Sequence, residues 1–210
     1  MTALAVTSIT NFILAAEVFF LAGLLFGRRP APRSAAWFWA LAMLFLGLSA
    51  LLGGIDHGFF EIDGDTPVRN LIEHTNWTLL GILTFLAFAT TLRQFFADAI
   101  RRTLFIVAGA QLAVYTVLSW LIDDFLVVML NYAPVMLFLL VMSARGLKDG
   151  SGTLAFVIGI ILLFAASGVQ AAGIDVFTPF DRNSLYHFGA MAAVLFLYAG
   201  GVKLKGMGEA

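Results

Sequence analysis

Three histidines, His57, His74 and His187, are the side chains of this sequence best suited to metal chemistry. Two of them directly follow a carboxylate, Asp56 and Glu73 respectively. Three protein ligands, often imidazoles, hold a catalytic zinc ion and leave a fourth position for water. Neighbouring acids can orient the rings or accept a proton. Because the chain contains no cysteine, thiolate ligands are excluded, and the sequence predicts a zinc site formed by the three histidines.

A network without a metal is the alternative interpretation of the same side chains. Histidines at a membrane surface can lie among lipid headgroups or pair with acids, which here are Asp56, Glu73 and Asp175. Haem ligation is a third interpretation. The position of the histidines does not separate these alternatives, because three would share one end of the helices about one time in four by chance.

A sequence motif that includes two of the histidines occurs twice. Residues 65–74 read DTPVRNLIEH, and residues 177–187 read FTPFDRNSLYH. Both copies contain Thr-Pro, then Arg-Asn, then three variable residues and a histidine, with one extra residue after the second Thr-Pro. Further upstream, Gly-Ile-Asp occurs at 54–56 and again at 173–175. Such similarity within one chain indicates an internal duplication.

Transmembrane helices are the elements that must position these residues. The chain is 61% hydrophobic and 12% charged, with a mean hydropathy of +0.96, which excludes an ordinary water-soluble domain. Seven apolar segments approach the ~20 residues that a bilayer requires. We therefore predict an all-α polytopic membrane protein with seven transmembrane helices in a single domain over residues 1–210. The predicted segments are 8–26, 36–60, 70–92, 103–122, 125–143, 153–174 and 183–202.

The charges divide between the two ends of these helices. All lysines and arginines except Arg69 and Arg182 fall at one end, and most acids fall at the other. Because cytoplasmic loops are enriched in Lys and Arg, we predict an outside N-terminus and a cytoplasmic C-terminus in the inner or plasma membrane. The histidines then face the non-cytoplasmic side. No basic cluster indicates a nucleic-acid partner. The short tail, residues 203–210, is expected to be disordered.

The duplicated segments fall on helices 2–3 and 6–7, which have the same orientation. The sequence therefore predicts repeat units over about 1–97 and 125–202, joined by a linker helix over about 103–122, a parallel arrangement known in membrane proteins. Gln111, Tyr115 and Ser119 give the linker helix a polar stripe that we expect to join it to its neighbours. We also expect helix 7 to adjoin helices 1, 2 and 3 in a closed seven-helix ring.

The topology and three short patches resemble the seven-helix metal-hydrolase superfamily that includes alkaline ceramidases and progestin/adiponectin-type receptors. His57 corresponds to the zinc-binding histidine late in helix 2 of that superfamily. His187 corresponds to one position of the H-x-x-x-H pair early in helix 7, whose other position is Asn183 here. At the acidic position that starts helix 3, this chain has Glu73 beside His74.

The resemblance implies a hydrolase of lipid amide or ester bonds in which zinc activates the attacking water. Asp56 or Glu73 is then the general base, and Asn183 or Ser49 stabilises the developing oxyanion. Gly53 occupies the position of the superfamily's serine, one turn before His57, and Ser49 lies a further turn away. Membrane lipid is both the solvent and the implied substrate, and its acyl chain could enter between helices.

Transport of a small solute or of protons is the alternative function. Parallel repeats are typical of small carriers, whose site lies at the repeat interface, and Glu17 in helix 1 could take part in a proton relay. The polar side chains nevertheless crowd the outer mouth and not the midplane. A non-catalytic sensory or assembly module is the third alternative. The pseudo-symmetric pairs of a carrier would be Asn70 with Asn183, Asp56 with Asp175, and His74 with His187.

Overall fold

Seven helices make up the part of the chain that the computed structural model describes, residues 2–209. No strand is present among these residues, and all seven helices are long and apolar enough to cross a membrane. The prediction of an all-helical integral membrane protein is confirmed. The helices are α1 (Ala3–Gly27), α2 (Ala35–Ile55), α3 (Pro67–Phe95), α4 (Asp98–Leu121), α5 (Leu126–Arg145), α6 (Leu154–Ala171) and α7 (Arg182–Gly201).

Capping residues define the starts of the two helices that begin within the duplicated motif. Thr66 caps α3 by accepting a hydrogen bond from the Arg69 amide, and Pro67 occupies the first helical position. Asp181 caps α7 in the same way, through the Ser184 amide at 2.8 Å. An acceptor at the cap satisfies one of the free amides of the first turn, and proline costs nothing there because its missing N–H has no partner anyway.

The helices form a closed ring of six, in the order α1, α2, α3, α5, α6 and α7, with α7 packed against α1. Helix α4 lies outside this ring, against α3 and α5. The expectation of a closed seven-helix ring is therefore wrong in the position of α4. The reason is that α4 buries only a narrow stripe, Ala108, Tyr115 and Ser119, so the rest of its surface is free to face lipid.

The polar stripe of α4 joins it to its neighbours, as predicted. The Gln111 amide donates to Asn131 Oδ1 on α5 at 3.0 Å. The Tyr115 hydroxyl donates to the carbonyl of Trp77 on α3 at 2.8 Å. Tyr115 approaches so closely that a Cβ at Gly81 would lie 2.3 Å from its ring. Hydrogen bonds between helices and small residues at the contact are the usual means of association in membranes.

The turns define two ends of the bundle. We call the end with the α2–α3, α4–α5 and α6–α7 turns the acidic end, and the opposite end the basic end. At the basic end, the C-terminal tail differs from the expected disordered segment. Leu204 is buried, the Gly206 carbonyl accepts from the Ala31 amide at 2.7 Å, and the Lys205 amide donates to Gln94 Oε1 at 2.9 Å. Residues 203–209 of the tail are ordered because they pair with backbone groups of the α1–α2 turn and with Gln94 of α3, and Ala210 lies outside the described residues.

Single cysteines test this topology directly, since the chain has none of its own. In intact cells, a membrane-impermeant maleimide should label Asp63→Cys and Asp123→Cys at the acidic end. Lys148→Cys and Lys203→Cys, at the basic end, should be labelled only after permeabilisation. Ile106→Cys, which is exposed on the lipid side of α4, is the control that stays unlabelled. Labelling of Asp63→Cys and Lys148→Cys from the same side would contradict the arrangement.

Candidate metal centre

The last turn of α2 widens into a π-helical turn, Asp56–Phe60, followed by a 3₁₀ turn, Glu61–Asp63. Helix α1 packs tightly at this point. The Ser8 hydroxyl donates to the Gly54 carbonyl at 2.8 Å, and a Cβ at Gly58 would lie 2.5 Å from Ser8 Oγ. A side chain that takes up a helix carbonyl distorts the ladder of backbone hydrogen bonds. Single π turns of this kind often occur at functional sites.

The π turn brings three potential metal ligands together. One ligand atom each from Asp56, His57 and Glu61 lies within 4.8 Å of the other two. His57 Nδ1 and Glu61 Oε2 are hydrogen-bonded to each other. We call these three residues the ligand cluster. It is the single group of three or more His, Cys, Asp or Glu side chains that lie this close together within residues 2–209.

Arg69 supplies the positive charge nearest to the ligand cluster. Its Nε lies 3.4 Å from Asp56 Oδ1, and the two side chains are only 16% and 12% exposed. The separation is short enough for an ion pair, yet neither atom has a hydrogen-bond partner among the described residues. A buried carboxylate oxygen without a hydrogen bond is costly unless something else satisfies it. The Arg69 guanidinium is one charge partner of this oxygen, and a bound cation would be a second.

The ligand cluster fits a divalent ion with nitrogen and oxygen ligands. Zinc accepts imidazole nitrogen and carboxylate oxygen, and one histidine with two carboxylates also suits manganese or iron. Two carboxylates offset the charge of such an ion even though Arg69 already lies beside Asp56. Three protein ligands leave a further coordination position for water or substrate. Asp56, His57 and Glu61 would therefore hold the ion.

The three histidines do not form one ligand set. His57 belongs to the ligand cluster. His187 is buried on α7, where its Nδ1 lies 2.9 Å from Thr10 Oγ1 of α1, and it is near enough to His57 for their charges to interact. His74 lies between α3 and α4, because α4 packs outside the ring. Its Nδ1 is 2.7 Å from the Ser119 carbonyl, and its ring stacks on Trp120.

The residues predicted for catalysis divide in the same way. Asp56 is in the ligand cluster, and the charge of Glu73 interacts with the charges of Arg69 and Asp56. Ser49 and Asn183 instead join helices. The Ser49 hydroxyl donates to Asn76 Oδ1 on α3 at 2.6 Å. Asn183 Oδ1 accepts from the Gln170 amide on α6 at 3.0 Å.

Glu61 and Arg69 are the site residues that the sequence reasoning missed. Glu61 follows His57 by four residues, a spacing that places two side chains on one helix face, but we ended helix 2 at residue 60. The signal for Arg69 lay in the duplication. In the second copy of the motif, Arg182 Nε lies 3.8 Å from Asp175 Oδ1. The Arg-Asn arginine thus pairs with the Gly-Ile-Asp aspartate in both copies.

A second polar contact ties α7 to α1 beside the ligand cluster. The Thr7 hydroxyl donates to Asp181 Oδ1 at 3.0 Å, and the Ser184 amide donates to the same oxygen. Partial burial acts to raise the pKa of Asp181, but the hydrogen bonds from Ser184 and Thr7 favour the carboxylate and hold the pKa below its ordinary value. Asp181 is therefore an ionised helix cap at neutral pH.

An apolar cavity of about 350 Å³ occupies the centre of the ring. All six ring helices line it, and α4 does not. Leu14 and Ala190 belong to its wall and lie one helical turn from Thr10 and His187 respectively. Along α7 the wall extends from Tyr186 to Leu197. The cavity thus reaches the polar layer of the acidic end, since Phe125 of the α4–α5 turn and Tyr186, next to His187, are part of its wall.

A family of unknown function, DUF6962, matches residues 6–205. The chain belongs to the DUF6962 family. No curated protein and no solved structure shows a significant match to it. The DUF6962 region begins inside α1 and ends just after α7, so the ring, its cavity and the ligand cluster all lie within it.

The Asp181 cap gives this DUF6962 protein a pH-dependent stability. A lowered folded pKa contributes stability above the unfolded value of ~3.9, and that stability is lost as the pH falls through the folded pKa. We expect Asp181→Asn, which keeps a cap acceptor, to lower the melting temperature in detergent at pH 7. The difference should shrink as the pH falls below ~3.9 and disappear only below the folded pKa of Asp181. Asp123→Asn, exposed at the same end, is the control, and a difference independent of pH would contradict the assignment.

Proposed function

We propose that this protein is a membrane-embedded, metal-dependent hydrolase of a lipid amide or ester, with its site at the acidic end. The observation that carries the proposal is the ligand cluster beside a polar layer that borders an apolar cavity. A lipid substrate has the same division, since its scissile bond lies near the headgroup and its acyl chain lies in the hydrocarbon. The acidic end matches the first part, and the cavity matches the second.

The dimensions of the cavity support an acyl chain as its occupant. Its wall runs from Tyr186 to Leu197 on α7, about 16 Å along the helix at a rise of ~1.5 Å per residue. The wall is mainly apolar, with a few polar groups such as Gln170 and Ser167 on α6. Pockets for small ligands typically combine an apolar lining with a few polar groups that fix orientation.

In this proposal Asp56, His57 and Glu61 would hold the ion. The ion would supply Lewis-acid activation of a carbonyl group and of water. Glu73, whose charge interacts with those of Arg69 and Asp56, would accept the proton of the attacking water. The guanidinium of Arg69, which is 16% exposed and pairs with Asp56 and Asp65, would stabilise negative charge on the reacting carbonyl.

Ser49 and Asn183 do not touch the substrate in this proposal. Their side chains are already hydrogen-bonded to Asn76 and Gln170, and these bonds hold α2 against α3 and α6 against α7. They are therefore positioning residues for the acidic end of the ring. Arg69 takes the oxyanion role that the sequence reasoning gave to them.

Transport of a small solute is the second candidate function. The observation that favours it is the composition of the cavity wall, which takes residues from α1–α3 and from α5–α7, the two predicted repeat units. Carriers with internal repeats bind substrate at such an interface. Uptake of solute into sealed proteoliposomes, without turnover of lipid, would favour this candidate over the hydrolase.

The metal content of the purified protein tests the hydrolase proposal. We expect a stoichiometric divalent ion, detected by mass spectrometry of the protein after gel filtration in detergent. His57→Ala and Glu61→Gln should each weaken metal binding at least about tenfold, because each removes a direct ligand. His74→Gln is the matched control, since His74 lies against α4, and it should keep the ion.

The same variants identify the failing part of the proposal. Retention of the ion in His57→Ala with loss in His74→Gln would assign the metal to another ligand set. If the purified protein holds no stoichiometric ion and His57→Ala does not change its lipid turnover, metal-dependent hydrolysis is excluded. If the protein retains the metal but does not turn over lipid, the ligand cluster stands as a metal site and the hydrolase is excluded.

Filling the cavity should shorten the acyl chain that the protein accepts. Ala133 on α5 lines the cavity, so Ala133→Phe should reduce hydrolysis of a long-chain amide or ester at least about tenfold and spare a short-chain analogue. Ala144→Phe is the control, because Ala144 lies on the same helix and is exposed. Equal losses for long and short chains would show that the cavity does not hold the acyl group.

A further inference from the structure

We propose that the basic end carries a binding pocket for the phosphate headgroup of an anionic phospholipid, at the junction of α3 and α4. A cavity of about 540 Å³ opens there to the outside of the bundle. It is independent of the ligand cluster, which lies at the opposite end. Its walls are formed by Arg93, Asp98, Arg101, Arg102, Phe105 and Ile106.

The net positive charge of this pocket favours the binding of an anion. Three guanidinium groups share it with one carboxylate, Asp98, which is already paired with Arg101. Arg33 of the α1–α2 turn is also close enough to repel Arg93. Like charges held together in a partly dry site are unfavourable unless an opposite charge joins them. Arginine is the side chain best matched to phosphate, which it can bind through two parallel hydrogen bonds.

Arg93 is the residue that most clearly lacks a partner. Its Nε is buried and has no hydrogen-bond acceptor among the described residues. The guanidinium carbon lies 5.3 Å from the centre of the Phe105 ring, so the ring fixes one face of the group by a cation–π contact. The edge of the guanidinium carries its N–H donors and is left for a ligand. Ala97, the N-cap residue of α4, provides no side-chain cap.

The position of the pocket indicates a lipid and not a soluble anion. Helix α4 lies outside the ring, so the groove beside α3 faces the bilayer. Phe105 packs near Phe38 of α2, with ring centres 5.9 Å apart, and Ile106 is 69% exposed on the lipid side. Arginines at the headgroup level above apolar side chains match a phosphate with its acyl chains. Basic pockets between transmembrane helices are known to bind anionic headgroups in this way.

Native mass spectrometry of the full-length protein in neutral detergent tests the proposal. The probes are phosphatidylglycerol and phosphatidylcholine, which share a phosphodiester and differ in net charge. We expect the wild-type protein to retain phosphatidylglycerol in preference to phosphatidylcholine. The double variant Arg93→Gln/Arg102→Gln should lose about tenfold or more of that affinity. The matched control is Arg145→Gln/Lys148→Gln, which removes two charges from the same end on α5 and its following turn.

Each outcome decides for or against the pocket. Equal loss in both double variants would show general attraction to the basic end and overturn the assignment. Displacement of the lipid by millimolar inorganic phosphate would make free phosphate the ligand. If the Arg93 variant does not fold, the wild-type protein still decides, because phosphatidylglycerol should then raise its melting temperature more than phosphatidylcholine does. Equal shifts with the two lipids would refute the proposal.

Discussion

The closure of the ring between α1 and α7 depends on two hydrogen-bonded pairs at the acidic end, Thr7 with Asp181 and Thr10 with His187. In a bilayer, such polar contacts matter because lipid offers no alternative partner for a buried hydroxyl or imidazole. The same segment of α1 also shapes the end of α2 through Ser8. One short stretch of α1 therefore contacts both the start of α7 and the end of α2 that carries the ligand cluster.

Local chemistry explains why most of the fold could be predicted. Apolar length predicted seven helices, and the starts of α3 at Thr66-Pro67 and of α7 at Asp181 follow from capping, which depends on adjacent residues alone. The position of α4 depends on how Tyr115 fits against Gly81, a contact between distant residues that hydropathy does not record. The ordered tail depends on distant backbone partners in the same way.

The candidate site was predictable only in part, for a related reason. Asp56 and His57 were found from residue type. Glu61 was missed because the predicted helix 2 ended at residue 60, whereas the π turn and the 3₁₀ turn extend the helical segment to Asp63. His74 was expected beside the other histidines, yet the packing of α4 gives it Ser119 as a partner. The duplicated motif held more information than we used, since its Arg and Asp residues pair in both copies.

The π turn at residues 56–60 has a consequence for the direction of the segment that follows it. A π turn is equivalent to an α-helix that has gained one residue, and a residue more or less rotates everything after it by about 100° around the helix axis. Loss of a single residue between His57 and Glu61 would leave the two side chains three residues apart, a spacing that still makes them neighbours on a helix. It would instead rotate the segment that follows Glu61 relative to α2, and so redirect the α2–α3 turn while the ligand residues themselves stay the same.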